Sequence, residues 1–257
     1  MRSLLVLALL PLAASTPLGT SQEKKDQPKP IPKIIVFMPL AVVPGSTATI
    51  TARGLVLDQA TEVKIEGVEG AMVRIKSKGK AQMPKDTEPA VVGDTQMELE
   101  VKLSPDTPEG KVTLIAVTPA GSTEPHALLV VPKEKLVLEK EPNGGFAQAQ
   151  PVEAGQVVQG SIAQPKDVDV FKIRGAKGEK WTFEVVAARY GSFLDATLSL
   201  YTESGRLIVT RDDDPGTRDA TLAVTLPADG IYCLSLVDAH DQGGPSHVYL
   251  LHVRREP

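Results

Sequence analysis

Short alternating runs dominate the chain. In "TQMELEVKL" the side chains of Met97, Leu99, Val101 and Leu103 share one parity, and Glu98, Glu100 and Lys102 share the other. A period of two over seven residues predicts a strand with one buried face. "STATITARGL", "TEVKIEG", "AMVRIKS" and "KVTLIAVT" repeat the pattern. Turn signals separate these runs at Pro44-Gly45, Gly79, Gly93-Asp94, Pro108-Glu109-Gly110 and Gly121. Regular short strands with such punctuation predict a β-sandwich over residues 33–131.

The second half repeats the pattern with other residues. Phe171 aligns with Ile173, Trp181 with Phe183 and Val185, and Leu198 with Leu200. Tyr232 aligns with Leu234 and Leu236, and Tyr249 with Leu251 and Val253. Aromatics on the parity of aliphatic neighbours predict core packing rather than an exposed binding stripe. The fold class is therefore all-β, with two sandwiches. "VPKEKLVLEK" between them is charged and lacks glycine, so residues 132–138 read as a short, stiff linker.

The N-terminus departs from this pattern. Arg2 precedes an apolar run from Leu4 to Leu12, and Ala13-Ala14-Ser15 supplies small residues for cleavage. The run is shorter than the roughly 20 residues a membrane span needs, so residues 1–21 read as a signal peptide. Residues 22–32 form a polar, Pro-rich leader. No later apolar run is long enough to span a membrane, so secretion to the extracellular space, cell surface or periplasm is expected.

With 257 residues there is room for two domains of ordinary size. A net charge of -4 with no long basic run excludes nucleic acid as an expected partner. The single cysteine, Cys233, has no partner for an internal disulfide and sits in a strand pattern, so a buried inert thiol is expected.

Candidate chemistry concentrates in "EKEPNGG", residues 139–145. In an extended segment Glu139, Glu141 and Asn143 project oxygen-bearing side chains to one side. Pro142 cannot donate to a ladder and keeps the stretch at an edge. Like charges on one face need water, a basic group or a cation. The same residues also read as solvated positions before a favourable Asn-Gly turn. Asp212 to Asp214, followed by Pro215-Gly216, read as an exposed loop, and Asp195 as a turn or cap residue.

Two family resemblances add to this. "VVPGSTATITARGL", "LSPDTPEGKVTLIAVTPAG" and "ALLVV" resemble the immunoglobulin-like IPT/TIG domains over residues 33–131. "EPNGGFAQAQ", "VVQGSIAQPKDVDVFKI", "GEKWTFEVVA", "GSFLDATLSLY", "SGRLIVTRDDD", "LPADGIYCLSLVD" and "HVYLLHV" resemble the bacterial pre-peptidase C-terminal (PPC) domain, a relative of collagenase collagen-binding domains. That resemblance covers about residues 137–254 and implies a jelly-roll-like sandwich for residues 139–257. It also implies calcium held by Glu139, Glu141, Asn143, Asp167 and Asp169. Gly144 departs from the strongest calcium binders, which carry another oxygen side chain there, and the aspartate spacing differs from the collagenase pattern.

No HExxH, GxSxG, GxGxxG or P-loop motif is present, so no catalytic residue and no nucleotide cofactor is expected. The expected function is a secreted, non-catalytic binding or structural accessory with a structural calcium as candidate cofactor. Its partner would be an extracellular protein or polysaccharide. The alternatives are a matrix-binding (collagen-like) module and a folding or secretion accessory of a separate peptidase.

Overall fold

The computed structural model describes residues 31–85 and 87–256. The expected signal peptide, and the leader up to residue 30, lie outside the described residues. The first half contains β1 (Lys33–Met38), β2 (Ala41–Val42), β3 (Thr47–Leu55), β4 (Glu62–Glu66), β5 (Met72–Lys80), a four-residue helix α1 (Pro89–Val92), β6 (Thr95–Lys102), β7 (Gly110–Thr118), β8 (Gly121–Ser122) and β9 (His126–Val130). They form two sheets, ordered β1-β3-β6-β5 and β2-β9-β7-β4, with β8 added on β7. Met97, Leu99, Val101 and Leu103 are buried between them with Ile50, Leu114 and Leu128, as the parity of β6 requires.

The second half contains β10 (Leu136–Leu138), β11 (Gln150–Pro151), β12 (Val157–Ser161), β13 (Val168–Gly175), β14 (Lys180–Val186), β15 (Ala196–Thr202), β16 (Leu207–Arg211), β17 (Thr221–Thr225), β18 (Gly230–Asp238) and β19 (Val248–Arg255). Its sheets run β10-β12-β19-β14-β17 and β11-β13-β18-β15-β16. Phe171, Phe183, Leu200, Leu234, Tyr249 and Leu251 meet in one core. The molecule is all-β, built from two such sheet pairs. The linker residues 136–138 form β10, parallel to β12, so the connection is itself part of the second sandwich.

A further apolar cluster joins the halves. Ile35, Val36, Leu40, Ala41 and Val131 pack on Val157, Val186, Val248 and Leu250. Burying each large aliphatic side chain of this kind contributes about 1.5–3 kcal/mol before entropy. Sheet β10-β12-β19-β14-β17 is thus covered on both faces. This explains why β19 reads "VYLLHV", nearly continuous in apolar residues.

β1 reaches two cores because its register shifts between Ile34 and Val36. Ile34 and Phe37 enter the first sandwich, while Ile35 and Val36 face the second. An extra residue in one strand is what re-aims side chains in this way. Across the junction, the Ala41 amide donates to Gln159 Oε1 at 3.1 Å, and the Arg53 guanidinium lies 5.9 Å from the Phe193 ring centroid. Gly191, at φ +85°, sits so close to the Ile35 carbonyl that no side chain fits there.

Candidate functional site

β10 delivers the chain to the candidate site. The Glu139 amide continues the ladder by donating to the Gln159 carbonyl at 3.0 Å. The Gln150 side chain clamps the stretch, accepting from the Lys140 amide at 2.8 Å and donating to the Leu138 carbonyl at 3.0 Å. Beyond Lys140 the chain bends rather than staying extended. Glu141 Oε2 accepts from the Asn143 amide at 2.8 Å, and the Asn143 carbonyl accepts from Val170 on β13 at 3.1 Å. Convergence of the three side chains is therefore made by a bend anchored to β13, not by strand parity.

Asn143 is fully buried. Its Nδ2 donates to Glu139 Oε1 at 3.2 Å, while its Oδ1 is buried without a partner. Glu139 Oε2 accepts from the Ser161 amide at 2.9 Å. Asp169 on β13 shares the inward parity of Phe171 and Ile173 and is also fully buried. Its Oδ2 accepts from the Tyr249 hydroxyl at 2.6 Å, and its Oδ1 has no partner. Gly160 leaves the space between them. A Cβ there would stand 2.5 Å from Tyr249 Oη and 2.6 Å from Glu139 Oε2.

Glu139, Glu141 and Asp169 each place a carboxylate oxygen within 4.8 Å of the others. Burial and the nearby Glu139 charge push the Asp169 carboxyl up to about 8. Burial also raises Glu139, and it holds the Tyr249 phenol well above its ordinary value. Two carboxyls this close and this dry cannot both ionise without a counter-charge. Such a site takes a proton or a cation.

Of the five residues suggested by the family resemblance, the structure brings Glu139, Glu141, Asn143 and Asp169 together. Asp167 is placed differently. Its Oδ2 accepts from the Ala163 amide at 2.7 Å and its Oδ1 from Val168 at 3.1 Å, which closes the turn before β13. Its charge reaches Asp169, but its oxygens serve backbone amides. Tyr249, Gly160 and the Ser161 amide were not singled out from sequence. Tyr249 reads as a core residue by parity, and nothing in the pattern shows where its hydroxyl ends.

A second acidic group unites Asp195 with Asp212 and Asp213, the latter two exposed. Asp212 accepts from Thr197 Oγ1 at 3.1 Å, and Asp213 bridges to Ala220. Burial and the Asp213 charge raise the Asp195 carboxyl. Cys233 is a free, buried thiol, raised by burial. Among the described residues no serine or cysteine is hydrogen-bonded to a histidine, and no helix is long and apolar enough to cross a membrane.

No protein-family model matches the chain. It is 31% identical over 138 residues, 51% of its length, to a probable subtilase-type serine protease of Deinococcus radiodurans, and it covers 19% of that protein. The pre-peptidase C-terminal domain of a Bacillus anthracis collagenase aligns with 41% of this chain and 94% of its own, at 17% identity and a TM-score of 0.34. The secreted serine protease VesC of Vibrio cholerae aligns with 84% of this chain and 48% of its own, at 12% identity and a TM-score of 0.30.

Proposed function

We propose that the protein is a secreted, non-catalytic binding or structural accessory, with its second sandwich fixed by a calcium ion at Glu139, Glu141, Asn143 and Asp169. One observation carries the metal. Two fully buried oxygens, Asn143 Oδ1 and Asp169 Oδ1, lack hydrogen-bond partners beside two further carboxylates. An oxygen-only donor set with excess negative charge fits a hard cation, and calcium accepts such irregular oxygen cages. The ion would supply charge neutralisation and a cross-link between the 139–143 bend and β13. Asp167 would hold the neighbouring turn.

Calorimetric titration of calcium into chelator-treated protein tests the site, paired with thermal unfolding. At ten times the dissociation constant one site adds about 1.4 kcal/mol. For a chain of this size that raises the midpoint by about 3–6 °C. Glu141→Ala, at an exposed position, should abolish both signals, while the metal-free protein loses only its bond to the Asn143 amide, about 1 kcal/mol. Absence of heat and of any midpoint shift in the wild-type protein removes the metal.

In this reading the second sandwich is a PPC-like jelly roll at residues 139–257, and the first an immunoglobulin-like spacer at residues 33–131. A second reading, accessory to a separate secreted peptidase, draws on the 31% identity to part of a probable protease. Co-expression with a secreted subtilase tests it through the yield of mature enzyme. Matrix binding is less favoured, because Trp181, Phe183, Tyr232 and Tyr249 are buried rather than displayed.

A further inference from the structure

Three of the four histidines gather at the junction of the two sandwiches. His126 on β9 meets Phe37 edge-on, with ring centroids 5.1 Å apart, and its Nε2 is buried without a partner. The Tyr190 backbone of the second half lies against this ring. His247 is buried, with no ring nitrogen in a well-formed hydrogen bond and the Gly244 backbone as its polar neighbour. It stands edge-on to Phe193 at 6.1 Å, and Phe193 is the ring that packs in the junction and carries Arg53 from the first half. Its neighbour Ser246 contacts Met38 of β1, with Oγ to Sδ at 3.4 Å. His252 shares the face of Val248 and Leu250 on β19. It lines an open groove of about 410 Å³ between the halves with Lys111, Leu129, Val131 and Arg189.

We infer that the junction is an acid-sensitive latch, closed while His126, His247 and His252 are neutral and opened when they take protons. A neutral imidazole tolerates burial with few partners at modest cost, whereas an imidazolium in the same place must give up its hydration. Burial is the largest influence on each ring, and it opposes charging. Burial lowers His126, and Lys33 adds repulsion against the one favourable contact, the Tyr190 backbone. Burial lowers His247, with Arg218 opposed to Asp238 and the Gly244 carbonyl. Burial lowers His252, with Arg254 and Arg189 opposed to Glu184 and Glu109.

Separation of the halves hydrates all three rings and returns them toward the ordinary value near 6.5. The open form then binds more protons than the closed one below that value. Closure is complete above it and is lost as pH falls from there through the depressed values of the closed form. Cooperation of three rings makes the loss steeper than a single titration.

Hydrogen exchange at pH 7.5 and 5.0, corrected for intrinsic rates, tests this on the calcium-free full chain, with small-angle scattering on the same samples. At pH 5.0 residues 34–41, 126–131 and 246–252 should lose protection at least tenfold, while 97–101 and 232–236 keep theirs. The radius of gyration should rise. The double variant His126→Leu/His247→Leu should stay closed at both pH values. His252→Gln, at a half-buried position, should fold normally and lower the pH of opening. Unchanged protection of the junction in the wild-type protein at pH 5.0 overturns the inference. So does equal loss in the core strands, or opening of His252→Gln at the wild-type pH.

Discussion

Among the described residues, two acidic clusters share a similar composition and differ in character. Glu139, Glu141 and Asp169 converge around two buried oxygens that nothing satisfies. Asp195, Asp212 and Asp213 converge equally closely, but two of the three are exposed and water can satisfy them. Counting carboxylates does not separate the two. What separates them is burial at the first cluster, where Asp169, Asn143 and Tyr249 are all shielded from water. Burial converts negative charge from a solvated surface feature into a demand for a proton or a counter-ion.

The sharpest way to break the comparison is to fill the first cluster. Gly160→Ala sets a methyl 2.5 Å from Tyr249 Oη and 2.6 Å from Glu139 Oε2. Tyr249 is fully buried and bonded to Asp169, so it cannot swing away. Overpacking of this kind should cost about 3 kcal/mol in chemical denaturation, and the calcium heat should disappear. Tyr249→Phe is next. It leaves Asp169 Oδ2 without its donor in a dry site, a loss of about 2 kcal/mol, with weaker calcium affinity by titration. The smallest effect belongs to the second cluster. Asp212→Asn and Asp213→Asn should each change stability by under about 0.5 kcal/mol and leave the calcium isotherm superimposable on wild type. An isotherm that moves with Asp213→Asn instead would reverse the ranking of the two clusters.

Strand parity carried much of the architecture into view. Each aligned set around Phe171, Trp181, Leu198, Tyr232 and Tyr249 faces the second core, because a half-buried sheet imposes period two on whatever sequence occupies it. Asp169 was legible only through the family resemblance, although it shares the parity of Phe171 and Ile173. Asp167 shares that parity too, yet it lies one residue before the strand begins and its oxygens close a turn. The bend at Glu141 was not legible, because periodicity describes continuous elements and is silent where a chain turns. The junction was hidden for a related reason. Val186 and Leu250 belong to strands already assigned to a core, and a second buried face adds no new period.

One inserted residue in β1 has an effect that no side chain could produce. With Ile35 out of the ladder, a six-residue segment presents apolar groups to two bodies at once. Shortening that segment by one position would rotate everything after it to the opposite side. The attachment of one half to the other is thus written in chain length, which conservative substitution leaves intact and a single-codon deletion erases.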